Sequence, residues 1–149
     1  MIQAQDLQIG DFVCYGKANN YITRVEAINN PGQTYTSDEY GIKCHRDKND
    51  PLSEKNPIDY FNVEILYPIS LTPEILEENG WEWDGMYATL KYDGNKVLTW
   101  YKHEGIIRDF YIHKNGEKEF MFLSRPGIHY VHTLQHALRL CGIDIELKL

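Results

Sequence analysis

A chain of 149 residues can bury a core as one domain or as two small lobes. Its composition, 13% aromatic and 25% charged, is that of a folded protein and excludes a disordered one. The net charge of −7 argues against non-specific attachment to nucleic acid or to an anionic membrane.

The opening MIQAQDLQIGD has no basic start and no apolar core, so no signal peptide is predicted. No apolar run approaches the roughly 20 residues that cross a bilayer. Cys14, Cys44 and Cys141 are odd in number and lack CxxC spacing. They read as reduced thiols of a cytoplasmic protein, not as a disulfide frame or a zinc site. Charge is uneven along the chain: residues 1–67 carry −4, residues 68–85 carry −5, and residues 86–149 carry +2 with five of the six histidines.

In chain order, Gly10-Asp11 is a turn leading into a strand at Phe12-Val13, closed by Tyr15-Gly16-Lys17. Tyr21 to Ile28 is a second strand, with Tyr21, Thr23, Val25 and Ala27 on one face and Ile22, Arg24, Glu26 and Ile28 on the other. Asn29-Asn30-Pro31-Gly32 is a turn, Tyr40 to His45 a strand, and Arg46 to Pro57 a polar loop read as mobile. Phe61 to Leu66 is the last strand of this part. Short strands with turn signals at this spacing predict an SH3-like β-barrel over residues 1–67.

Residues 68–85 form a short helical joint. Thr72 caps it, Pro73 suits the first helical position, Glu74 faces the positive end of the dipole, and Gly80 stops it. Residues 86–149 read as an antiparallel β-meander covered by one helix. Its strands are Met86 to Tyr92, Val97 to Lys102, Ile106 to His113 and Lys118 to Leu123. Asp93-Gly94 and Gly94-Asn95 are both turn pairs, which leaves the first register open. Asn115-Gly116 is a type I′ signal. With that turn, Phe110, Ile112, Met121 and Leu123 share one face, and Ile107, Tyr111, Phe120 and Phe122 the other. Both are apolar, so each needs a cover.

The helix from Tyr130 to Cys141 supplies one cover. Val131, Leu134, Ala137, Leu138 and Cys141 form its apolar stripe, opposite His132, Gln135, His136 and Arg139. Ile143 to Leu147 alternates like an edge strand. The fold class is therefore α+β, and the second apolar face of the hairpin must meet the N-terminal barrel, the joint helix or a second chain, the last giving a homodimer or larger homo-oligomer.

Three stretches carry a resemblance: Asp6-Leu7-Gln8-Ile9-Gly10-Asp11, Tyr67-Pro68-Ile69-Ser70-Leu71-Thr72-Pro73-Glu74-Ile75-Leu76 running to Gly80-Trp81, and Tyr130-Val131-His132-Thr133-Leu134-Gln135. Together they resemble the small uncharacterised proteins of Bacteroidetes, their prophages and gut phages. Ser70, Pro73 and Trp81 depart mildly from the pattern, where proline, glutamate and phenylalanine are usual. The resemblance covers about a third of the chain. It implies a two-part build and the genomic setting of a phage or mobile-element accessory protein, and no reaction.

Among residues suited to chemistry, His132 and His136 are one helical turn apart and His129 precedes them, a spacing that lets rings meet at one ion. No HExxH glutamate accompanies them, so paired surface histidines are the plainer reading and no cofactor is assigned. Glu74, Glu77, Glu78, Glu82 and Asp84 crowd the joint as dipole-favoured or solvated acids. Cys44 and His45 are strand neighbours on opposite faces and form no nucleophile–base pair. Trp81, Trp83, Trp100 and Tyr101 could stack on a base or sugar. With Tyr111, Phe120, Phe122, His132 and Gln135 they are the interaction candidates.

The expected function is non-enzymatic binding of a protein partner, with interference in host defence as one form of it. A nucleic-acid-contacting C-terminal half is the second reading, opposed by net charge, and a metal enzyme using the three histidines the third. No membrane role is expected.

Overall fold

Gly10 turns the chain at φ +91°, its N–H donating to the Val25 carbonyl at 2.7 Å. The buried Asp11 side chain closes the turn by accepting the Gln8 N–H at 2.7 Å. The computed structural model describes residues 2, 6–29, 41–83, 87–93, 96–103, 106–114, 117–120 and 128–149, with backbone alone at 17, 29, 87, 96–103, 106–114 and 117–120. The fold is α+β, mostly antiparallel sheet with few helices, and divides into two units, 1–69 and 70–149.

The first unit is a five-stranded antiparallel sheet of β1 (Phe12–Tyr15), β2 (Tyr21–Asn29), β3 (Gly41–His45), β4 (Ile58–Asn62) and β5 (Tyr67–Pro68), in the order β4-β3-β2-β1-β5. Among the described residues no pairing joins β4 to β5, so ladder hydrogen bonds do not close the sheet into a barrel. The expected face alternation of β2 holds as far as Val25, where Thr23 and Val25 are buried and Arg24 is exposed. A bulge between Val25 and Ala27 then inserts one unpaired residue. The inserted residue moves the alternation by one. Ile28, opposite buried Ile42, therefore packs on the core in place of Ala27. Val13, Tyr15, Val25, Ile42, Cys44, Phe61 and Leu66 form that core.

The last strand expected at Phe61 to Leu66 is corrected. Pairing with β3 covers Ile58 to Asn62, and a 3₁₀ turn follows at Val63–Ile65. The Asn62 side chain causes the break by accepting the Glu64 N–H at 2.9 Å.

In the second unit β6 (Glu82–Trp83), β7 (Tyr87–Tyr92), β8 (Lys96–His103), β9 (Ile106–Lys114) and β10 (Glu117–Phe120) form a meander in the order β10-β9-β8-β7-β6. Tyr92 pairs with Lys96, leaving a three-residue connection. Lys114 pairs with Glu117, leaving the two-residue connection expected at Asn115-Gly116. A bulge between Tyr101 and Lys102 pairs Ile107 with Lys102. Simple alternation therefore does not carry Ile107 onto the register of Tyr111. The face groupings of Phe110, Ile112, Met121, Leu123, Tyr111, Phe120 and Phe122 lie outside the described side chains.

Thr72 caps α1 (Pro73–Glu78) as expected, its Oγ1 accepting the Ile75 N–H at 3.4 Å, with Pro73 at the helix start. From Ser70 onward the expected joint belongs to the second unit, while Pro68 pairs in β5 of the first. Ser70 bridges to Tyr130, and the Leu71 N–H donates to the His129 carbonyl at 2.8 Å. Both α1 and α2 (Val131–Leu140) end in a Schellman turn. Gly80 and Trp81 donate to Glu77 and Leu76, and Gly142 and Ile143 donate to Arg139 and Leu138.

Val131, Leu134, Ala137 and Leu138 are buried as the stripe requires, while Cys141 is half-buried. His132 and Gln135, placed by periodicity on the wet side, are buried instead. A helix packed on more than one side buries a wider arc than one stripe. The expected edge strand Ile143 to Leu147 is also corrected. Ile143 and Leu147 are buried, with Asp144 and Glu146 exposed and Ile145 half-buried between them, yet no ladder forms among the described residues.

Candidate functional site

The loop read as mobile carries the densest polar network among the described side chains. It closes at its base where the Arg46 N–H donates to the Pro57 carbonyl at 2.8 Å. From there the Arg46 guanidinium spans two carboxylates, with Nη1 donating to Asp50 Oδ2 at 2.8 Å and Nη2 to Asp59 Oδ2. Tyr15 Oη donates to the same Asp50 oxygen at 2.9 Å and accepts the Asp47 N–H at 2.9 Å. Asp47 in turn accepts the Ile22 N–H at 3.0 Å and the Asn49 N–H at 2.7 Å. Asp50 Oδ1 takes the Leu52 N–H at 2.9 Å. Beneath the network the guanidinium lies over the Phe61 ring at 5.5 Å, and the Tyr15 and Phe61 rings are 4.6 Å apart.

The electrostatics show what the cluster is for. The Leu52 N–H, with the Tyr15 hydroxyl and Arg46, holds the Asp50 carboxyl below its ordinary value. Burial, with the Asp50 charge beside it, pushes the Tyr15 hydroxyl up to about 12. Both shifts move protonation away from neutrality, the reverse of what a general acid or base requires. The cluster is a staple that fixes the loop on β1 and β4.

That staple leaves β4 with one face held inward. Phe61 is buried and Asp59 is tied to Arg46, while Ile58 and Tyr60 point outward, 42% and 54% exposed. Across the ladder Tyr60 pairs with Lys43 and Ile58 with His45. Glu26 on β2 reaches Lys43 at 3.2 Å and also meets His45. The result is a face with two large apolar side chains beside a mutually neutralised ionic row. The strand edge is partly closed, since the Tyr60 N–H donates to its neighbour Asp59 Oδ1 at 2.8 Å. Recognition here would run through side chains on the face.

The residues singled out in the sequence are distributed differently. His129 is exposed, His132 buried and His136 half-buried. Tyr130 stacks on His132 at 5.7 Å with planes 8° apart, and His132 meets His136 edge-on at 5.9 Å. Two aromatic rings are thus among the close neighbours of His132. Among the described residues no group of three His, Cys, Asp or Glu side chains is placed to hold a metal. Glu74, Glu77, Glu78 and Glu82 are exposed, as solvated acids should be, and Asp84 lies outside the described residues.

Cys44 is fully buried and His45 exposed, the opposite-face arrangement that strand geometry requires. Burial pushes the Cys44 thiol up to about 12 and raises that of Cys14, so neither is an activated nucleophile.

Trp81 is core and Trp83 half-buried. Register aligns Trp83 with Ala88, Ala88 with Trp100 and Trp100 with Phe110 across β6 to β9, while Tyr101 pairs with Tyr87. The side chains of Trp100, Tyr101, Tyr111, Phe120 and Phe122 are outside the described set, and Gln135 is buried in α2. Ile58, Tyr60 and the Arg46 staple were missed in the sequence. The available signal was the alternation Ile58-Asp59-Tyr60-Phe61, masked by the polar loop before it.

Compared with known proteins, the chain matches no family model, no curated protein and no solved structure.

Proposed function

We propose that the chain is a non-enzymatic binding protein whose N-terminal unit is an SH3-like barrel docking a protein partner on the outer face of β2 to β4. The order β4-β3-β2-β1-β5, the 3₁₀ turn between β4 and β5, and a long bulged β2 shared by two ladders support the barrel reading. The observation carrying the function is the exposure of Ile58 and Tyr60 on a strand whose other face is stapled. An apolar pair on rigid backbone costs little ordering entropy on binding, and tyrosine is favoured at interfaces. Glu26 already neutralises Lys43 in part, so this face offers little to a polyanion. The setting is that of an accessory protein of Bacteroidetes phages and mobile elements, acting in the cytoplasm. Among the described residues no helix is long and apolar enough to cross a membrane.

The test compares the wild-type chain with an Ile58→Ser/Tyr60→Ser double variant as quantitative baits in host extract, each confirmed folded by its thermal transition. Partners enriched on the wild type and lost from the variant support the reading. Equal capture by both overturns it. Capture that is nuclease-sensitive and falls steeply with salt gives the site to nucleic acid instead.

A further inference from the structure

The chain holds two Asn-Gly pairs, Asn79-Gly80 and Asn115-Gly116. In such a pair the glycine nitrogen can attack the asparagine amide carbon, because no Cβ obstructs the approach and the backbone is permissive. Asn79 is held out of that reaction. Its Nδ2 donates to the Ile75 carbonyl at 2.7 Å and the Lys148 carbonyl at 2.9 Å, and its Oδ1 accepts the Lys148 N–H at 2.7 Å. The Gly80 N–H is engaged with the Glu77 carbonyl at 3.0 Å.

One side-chain amide thus binds both backbone groups of Lys148, as a neighbouring strand would. The segment it holds, Ile143 to Leu149, has no ladder. The buried side chains of Ile143 and Leu147 and the Schellman turn before them also fasten it.

We propose that Asn79-Gly80 is a deamidation site gated by the C-terminal segment: latched, it is protected, and once released it converts to a form that cannot latch again. This goes beyond the binding face of the N-terminal unit and is independent of it. With Lys148 detached, the Asn79 amide rotates toward Gly80. The Gly80 nitrogen gives its proton to water and bonds to Cγ, the Cγ–Nδ2 bond breaks, and ammonia leaves a succinimide. Water then opens the ring at either carbonyl, giving aspartate or isoaspartate, with no oxidation or reduction at any step.

The product has lost the donor that served Ile75 and Lys148. Its carboxylate meets two carbonyl oxygens, and an unsatisfied, charged acceptor there opposes re-docking. Isoaspartate also adds a main-chain carbon beside Gly80, whose φ of +86° ends α1.

Peptide mass mapping at Asn79 tests the gate, with the thermal transition of each chain as the check on folding. The intact protein, Lys148→Pro, which lacks the N–H donor, and a chain shortened by Lys148 and Leu149 are incubated alongside the intact chain unfolded in urea. Asn79 should convert in the intact protein on the order of tenfold more slowly than in urea, because the hydrogen bonds of its amide and of the Gly80 N–H must open first. Both variants should convert several-fold faster than the intact protein while keeping its cooperative thermal transition, the bonds to Ile75 and Glu77 remaining. Equal rates at Asn79 in the intact and unfolded chains overturn the proposal, as do variants that retain the intact rate. A variant that loses that transition has unfolded. Hydrogen exchange on Asn79→Asp then decides, with exchange at Lys148 rising about tenfold if the latch is real and unchanged if it is not.

Discussion

The loop from Arg46 to Pro57 and the segment from Ile143 to Leu149 both lack strand pairing, yet opposite forces hold them. The loop is fastened by charge and hydrogen bonds: one guanidinium, three carboxylates and a tyrosine hydroxyl. Among the fastenings of the segment are the buried side chains of Ile143 and Leu147 and one neutral amide. Apolar burial responds weakly to pH and salt, whereas ion pairs and buried hydroxyls respond directly. Irregular backbone therefore gives no measure of mobility. What the side chains bury or bond decides it.

The largest effect is expected at Leu147, 2% exposed. Leu147→Ala should cost about 2–4 kcal/mol in urea unfolding, with the loss unchanged across salt and mild pH. A loss under about 1 kcal/mol would mean that the segment rests mainly on the Asn79 amide.

Tyr15→Phe comes next. It removes a hydroxyl that accepts from Asp47 and donates to Asp50, so a cost of about 1–3 kcal/mol is expected. Hydrogen exchange should rise at Asp47 and Leu52 and stay unchanged at Lys148. A rise at both places would tie the two regions together and break the comparison.

The pH response has two limbs of fixed sign. Asp50 is depressed, so its contribution is complete above its ordinary 3.8 and is lost as pH falls through the lower folded value. Tyr15 is raised from 10.0 to about 12, so its contribution is complete below pH 10 and is lost between 10 and about 12. Limited proteolysis should open the loop at both extremes before the C-terminal segment. A C-terminal segment cut first at either extreme contradicts the assignment.

The smallest effect is expected at Glu26→Gln, which weakens the partly exposed pairs with Lys43 and His45. About 0.5 kcal/mol or less should be lost, and moderate salt should erase it. A larger loss would make that ionic row structural and not merely part of the binding face.

Local chemistry alone determined several features of this protein. Thr72, Pro73 and Gly80 bound α1, Lys114 and Glu117 flank a two-residue hairpin connection, and Val131, Leu134, Ala137 and Leu138 line the buried side of α2. Each depends on neighbours within a turn or two, so the pattern is complete in a short stretch of chain.

Tertiary structure decided the rest. Periodicity put His132 and Gln135 in water, but packing buried them. Alternation put Ala27 on the face of Val25, but a bulge brought Ile28 there instead. Tyr15 finds Asp50 across 35 positions, and Asn79 finds Lys148 across 69. A polar side chain carries no sign of which distant partner it will meet, because that partner is chosen by the sheet register and helix packing that bring the two together.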